Sequence, residues 1–259
     1  MNDGHHEQGL TSLRVATYNI HHGADVADRL DLARTAAVIA ASGAGLVGLQ
    51  EVDRHWSERS AFADQAGWLA ERLEMRVVYA ANLDLHPVAV GQERRQYGTA
   101  ILSRYPIRSF VNSSLPGVQG GEPRGFLAAE VDLASGQGAP QPLCFATTHL
   151  SEASPRAREK EAARIRELLG PTPRRTIVTG DLNALPGTPE LKLLTEVLVD
   201  AWSAVHAAEE DAGYTFSAAQ PERRIDYVLV SPDITVEAVR VRTDVDASDH
   251  LPLVADLTW

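Results

Sequence analysis

Short apolar runs rich in β-branched residues recur along the chain, separated in places by stretches of helical period. Leu13 to Ile20, Leu46 to Leu49 and Arg76 to Ala81 read as strands. Between them Leu30 to Ala41 reads as a helix stopped by Ser42-Gly43. Ala61 to Glu74 reads as a second, with Phe62, Ala66, Leu69 and Leu73 on one face. From Tyr97 the pattern changes. Tyr97 to Ser103, Ile107 to Asn112, Phe126 to Leu133 and Leu143 to Thr148 are strands with only loops between them, which predicts an antiparallel section. Pro155 to Leu169 is a helix with Ser154 as N-cap, Pro155 at its first position and Gly170-Pro171 at its end. Arg175 to Thr179, Ile225 to Val230, Thr235 to Val241 and Leu253 to Leu257 complete the strands. Asn82 to Gln96 and Gly117 to Gly125 read as loops. The list predicts an α/β protein: one domain over 11–259 after a flexible tail over 1–10.

The polar residues fall where the strands begin or end. Leu13 to Thr17 runs into Tyr18-Asn19, Leu46 to Leu49 into Gln50-Glu51, Phe145 to Thr148 into His149, and Ile177 to Thr179 into Gly180-Asp181-Leu182-Asn183. Asp226 instead precedes its strand, and Ser248-Asp249-His250 precedes the last one. If the last two strands run against the first four, all of these groups reach one rim, where sites of α/β folds are built.

Such a rim is rich in oxygen ligands, which suit hard cations such as Mg²⁺ or Mn²⁺. Glu51 is the first candidate ligand and Asp249 the next. His21-His22 lacks the partner spacing of a zinc helix motif and reads as structural or supporting. Hydrolysis of a phosphate ester requires an aligned water, neutralised equatorial oxygens and a stabilised leaving group. Asp181 is placed to orient the water, and Asn183 to donate to a phosphate oxygen. His149 can bond the non-bridging oxygens or protonate the leaving group. His250 can act on the nucleophile if a carboxylate, Asp226, fixes its ring. Each has a plainer reading: Glu51 as a turn residue, Asp181-Leu182-Asn183 as an Asx turn, Asp226 paired with Arg223 or Arg224, the histidines as core residues, and Arg124 in a surface salt bridge.

Taken in order, Thr17-Tyr18-Asn19-Ile20, Leu49-Gln50-Glu51-Val52-Asp53, Ala100 to Pro106, Thr148-His149-Leu150, Gly180 to Ala184, Arg224 to Val228 and Ser248-Asp249-His250 resemble the endonuclease/exonuclease/phosphatase superfamily, over residues 13 to 257. The resemblance implies the deoxyribonuclease-I-like fold: a four-layer α/β sandwich of two packed mixed β-sheets flanked by helices. It also implies Glu51 as main metal ligand with Asn19 and Asp249 near the metal, Asp181 at the water, and Asn183 on phosphate. His149 and the Asp226–His250 pair are then catalytic. Many relatives carry asparagine where this chain has Thr99. Some pair the histidine at 149 with a carboxylate from a middle loop, where Glu93 is available. Arg124 falls near a phosphate contact of some nucleases, which makes it a candidate substrate-binding residue.

Charge bears on the substrate. The net charge of −11 is unfavourable for general binding of polyanions. No long basic, aromatic-interleaved stretch is present to track a strand. The expected substrate is therefore a small-molecule or lipid-headgroup phosphoester. A nuclease is the alternative, and its mark would be a basic strip of Arg94, Arg95, Arg124, Arg156 and Arg158. A non-catalytic binding module of the same fold is a third possibility. Arg54, Arg59, Arg223 and Arg224 are further local cations. The single cysteine, Cys144, excludes an internal disulfide and reads as a buried strand residue. No run approaches the roughly 18 apolar residues of a membrane helix. The polar stretch Met1 to Gly9, with His5-His6, has no signal-peptide core, so a cytoplasmic protein is expected.

Overall fold

Apolar residues on both faces of many strands require cover on both sides, and the computed structural model supplies it with four layers. It describes residues 12–133, 141–206 and 212–259; the tail over 1–10 lies outside the described residues. The first sheet contains β1 (Ser12–Asn19), β2 (Leu46–Arg54), β3 (Arg76–Leu85), β4 (Arg95–Ser103), β11 (Thr235–Val241) and β12 (Leu253–Thr258). Its order is β11-β12-β1-β2-β4-β3. The second contains β5 (Ile107–Ser114), β6 (Gly125–Leu133), β7 (Gln141–His149), β8 (Thr176–Asp181), β9 (Val199–Asp200) and β10 (Asp226–Val230), in the order β5-β6-β7-β8-β10-β9. Outside the first sheet lie α1 (Leu32–Ser42) and α2 (Gln65–Leu73). Outside the second lie α3 (Pro155–Leu169) and α4 (Pro189–Thr195), while α5 (Ala201–Val205) packs near β10 and β11.

The layers correspond to three apolar clusters. Leu46, Ile101, Leu127, Phe145, Ile177 and Val228 meet between the sheets. Val47, Leu49, Ile39 and Leu69 join the first sheet to α1 and α2. Val178, Tyr227, Ile165 and Leu194 join the second to α3 and α4. Leu46 thus faces inward while its neighbour Val47 faces the helices, as the two-residue period of a strand requires.

Several boundaries differ from the reading of the sequence. The second helix begins at Gln65, not Ala61. Ala61 and Phe62 take left-handed φ of +50° and +53°, and Asp64 caps the helix by accepting from the Gly67 amide. Phe62 is consequently exposed rather than in the core. The loop expected over Asn82 to Gln96 is partly strand, since β3 continues to Leu85 across a bulge and pairs with β4 from Arg95. The elements α4, β9 and α5 are each seven residues or shorter, too short for periodicity to reveal.

Between the sheets, just below the rim, the core turns polar. Gln50 Nε2 donates to Thr147 Oγ1 at 2.8 Å and to Thr17 Oγ1 at 3.2 Å, tying the sheets together. Gly48 leaves no room there: a Cβ would collide with Thr179 Oγ1 and come within 2.7 Å of Thr147 Oγ1. Thr179 cannot swing away freely, because its hydroxyl donates to the Ala146 carbonyl. Gly48→Ala is therefore expected to destabilise the protein by about 1–3 kcal/mol. That lowers Tm by roughly 2–4 °C per kcal/mol in a chain of this size. A thermal scan giving an unchanged Tm would contradict this account of the sheet contact.

Candidate active site

β1 and β2 run parallel, as do β7 and β8, while β12 runs against β1 and β10 against β8. The ends carrying Asn19, Glu51, His149 and Asp181 therefore gather with the starts of β10 and β12. Register does part of the alignment: His149 and Asp226 each pair with Asp181 from opposite sides. Asn19 Nδ2 donates to Glu51 Oε1 of the neighbouring strand at 3.0 Å and, across the gap between the sheets, to Asp181 Oδ2 at 3.1 Å.

Glu51 reaches the rim by a local irregularity. The β2–β4 register shifts between Leu49 and Val52, and Glu51 takes φ +57° within that bulge. Bulges commonly re-aim a side chain beside a site. The strand expected to stop at Leu49 therefore continues to Arg54 with Glu51 turned out of it. Asn19 points its nitrogen at the site, since its Oδ1 accepts from the His21 amide at 3.1 Å.

Asp226 is buried and pairs with His250 rather than with Arg223 or Arg224: its Oδ2 lies 2.9 Å from His250 Nδ1. Arg224 bonds Asp200 instead. Phe216 covers the imidazole, ring centroids 4.7 Å apart. Burial disfavours a charged His250, yet Asp226 and Asp181 outweigh it and raise its pKa to about 10. Asp181 is 2 % exposed; burial, with Asp226 nearby, pushes its carboxyl up to about 7. Its Oδ1 accepts from the Asn183 amide, an Asx turn that sets Asn183 at φ +49°.

His149 has an unexpected partner. Arg124 Nη1 lies 3.0 Å from His149 Nδ1 and 2.6 Å from Glu122 Oε1. A guanidinium only donates, so Nδ1 must accept and the ring proton sits on Nε2. Burial, then Arg124 and His250, hold this histidine's pKa well below the usual value, so it is neutral. Glu93, on an exposed loop, lines a separate pocket with His55 and Phe62. Asn183 Nδ2 donates to the Leu150 carbonyl at 3.1 Å and stands 3.2 Å from His149 Nε2. Two donors cannot bond each other, and the carboxylate nearest to His149 Nε2 is Asp181, whose Oδ2 lies 3.5 Å away.

That space is a cavity of about 180 Å³ lined by Glu51, Asp181, Asn183, His149, Asp249 and His250, with Arg124 at its side. Arg124 is 8 % exposed and its Nε has no hydrogen-bond partner among the described residues. The donor set fits a hard divalent cation: Glu51 and Asp249 offer carboxylate oxygens to one cavity, and the lone cysteine, Cys144, lies elsewhere in β7. Thr99 is buried in β4. Sequence reasoning missed Glu122 and Tyr97, which also line the cavity; only the Glu122-Pro123-Arg124 run carried any signal of the former.

The family model described as Endonuclease/Exonuclease/phosphatase family matches residues 16–250. Among solved structures, an endonuclease/exonuclease/phosphatase from Beutenbergia cavernae is 27% identical with a TM-score of 0.77, covering 95% of this chain and 71% of its own. The Bacteroides thetaiotaomicron mannosyl-6-phosphatase Bt3783 is 21% identical with a TM-score of 0.73, covering 95% and 100%. D. rerio TDP2 complexed with a single-strand DNA product is 19% identical with a TM-score of 0.67, covering 95% and 99%. No curated protein sequence matches.

Proposed function

Because the chain belongs to the endonuclease/exonuclease/phosphatase family, we propose that it hydrolyses a phosphate ester with the help of Mg²⁺ or Mn²⁺, and that the substrate is a small molecule or lipid headgroup. The observation that carries this reading is that the nitrogen-bearing side chains of His149 and Asn183 line one cavity together with the carboxylates of Glu51 and Asp249. Donors on one side and carboxylates on the other suit a phosphoryl group beside a cation.

In this reading Glu51 and Asp249 hold the ion, and Asn19 steadies Glu51 through its amide nitrogen. The ion, when bound, polarises a phosphoryl oxygen and offsets its developing charge. Asp181 orients the attacking water and takes its proton, a task suited to a carboxyl pushed up toward neutrality. His250, held as an imidazolium by Asp226, stabilises negative charge beside it. Neutral His149 and Asn183 bind non-bridging oxygens, with Arg124 fixing the His149 tautomer.

The choice of a small substrate over nucleic acid is supported by the arginines. Arg94 is bound to Asp84, Arg124 to Glu122, and Arg158 is buried against Glu190. Three of the five cations of a strand-tracking strip are thus already paired. The cavity is also small and edged by Glu122 and Glu152.

The test is a panel of aryl phosphodiester, aryl monoester, hexose 6-phosphate, inositol phosphates, sphingomyelin, plasmid and single-stranded RNA, each with Mg²⁺, Mn²⁺, Ca²⁺ or chelator. Turnover of a small ester with Mg²⁺ or Mn²⁺, abolished by chelator, is expected. Full activity in chelator would remove the cation from the reading. Preference for plasmid or RNA with binding that falls steeply with salt would install the nuclease instead.

A further inference from the structure

Beside the cavity, a second group of ligands meets on the turn that leaves β1. His21 and His22 both take left-handed backbone angles, φ +45° and +44°, which brings their ring centroids within 4.4 Å. His22 is 5 % exposed and its Nε2 lies 2.9 Å from Asp28 Oδ1. The sequence gives no hint of this contact, because six residues separate the two and no regular element spans them.

A fixed loop makes it. Asp25 Oδ1 accepts from the amides of Ala27 and Arg29, and the Asp25 carbonyl accepts from the Asp28 amide at 2.9 Å. Gln65 Nε2 donates to the His22 carbonyl, pinning the histidine from the opposite side. One nitrogen from each histidine and one Asp28 oxygen lie within 4.8 Å of one another. A tetrahedral ion with bonds near 2.0–2.1 Å holds its ligands roughly 3.3 Å apart, so this triangle closes around one ion with small shifts. His21 Nδ1, moreover, is buried with no hydrogen-bond partner among the described residues. A buried nitrogen left this way calls for a water or an ion as its partner.

We propose that His21, His22 and Asp28 form a transition-metal site of the zinc class, separate from the cavity lined by Glu51 and Asp249. Two imidazoles and one carboxylate favour Zn²⁺ over Mg²⁺, which prefers an all-oxygen shell. The Asp28 side chain is 73% exposed, so solvent and an incoming ion reach the site from that side. The site borders the cavity: His21 Nδ1 stands 4.0 Å from Asp249 Oδ1, and the His21 amide holds Asn19 Oδ1. An ion here clamps the turn that orients Asn19.

Co²⁺ serves as the visible probe for such a site. Chelator-stripped protein is titrated with Co²⁺ in excess Mg²⁺, which keeps the oxygen-rich cavity occupied. One equivalent of tetrahedral Co²⁺, displaced by Zn²⁺, is expected. Asp28→Gly removes the carboxylate while accepting φ +58° without strain. Loss of a ligand exceeds the roughly 10- to 100-fold lost with an outer partner, so this variant binds at least about tenfold more weakly. Glu51→Gln leaves the signal intact. Absence of the cobalt signal in the wild type, a smaller loss in Asp28→Gly, or disappearance of the signal in Glu51→Gln would each overturn the proposal. None of these readings needs turnover, so the outcome is independent of the hydrolase reading.

Discussion

Asp181→Asn is expected to lower kcat by about 10²–10⁴-fold while leaving KM nearly unchanged. The substitution keeps the shape of the residue and one of its two accepted hydrogen bonds, from Asn19 Nδ2 or from the Asn183 amide, because an amide carries a single acceptor oxygen. What it removes is a proton acceptor, and that is used only as the water attacks. A loss confined to the transition state appears in kcat and kcat/KM equally. Steady-state kinetics on the best substrate of the panel decide the point. A large rise in KM at constant kcat would make Asp181 a ground-state binding residue and move the base elsewhere.

Asp226→Ala should act on stability as well as on rate. Asp226 and His250 are 1 % and 5 % exposed, and they bond each other. Removing one partner of a buried ion pair costs about 3–5 kcal/mol, because the other charge is left uncompensated. Chemical denaturation of the metal-free protein measures this directly, and a loss below about 1 kcal/mol would mean that the pair behaves as an exposed one. The same pair sets a pH dependence. In the folded protein His250 binds its proton up to about pH 10, against an ordinary value of 6.5. The folded state therefore holds the extra proton between those limits, and stability falls as pH rises through them. The contribution is complete below pH 6.5 and lost above about 10. His250→Gln should flatten the Tm–pH curve of the metal-free protein over that window. Parallel curves for wild type and variant would sink the assignment.

The strand-end logic read from the sequence depends on direction, and β10 and β12 do run against β8 and β1. The placement of Asp181, Asn183, Asp226 and His250 on the rim was legible because the first two follow an apolar run and the last two precede one. Glu51 was legible as a residue but not as a conformation, since a bulge leaves no trace in hydrophobic period. The partner of His149 was invisible: Arg124 lies 25 residues away, and pairing of β6 with β7 delivers it. The segment from Leu185 to Val205 failed for another reason, its elements being too short to show any period.

The row formed by His149, Asp181 and Asp226 is made by strand register alone. A slip of one residue in β8 would send the Asp181 side chain to the opposite face of its sheet, away from both neighbours. There is accordingly no half-built version of this centre. Chains whose second sheet has mispaired should be compact yet wholly inert. In a refolding experiment, the recovered fraction of turnover then counts correctly threaded molecules one by one, and the specific activity of each is either full or nil.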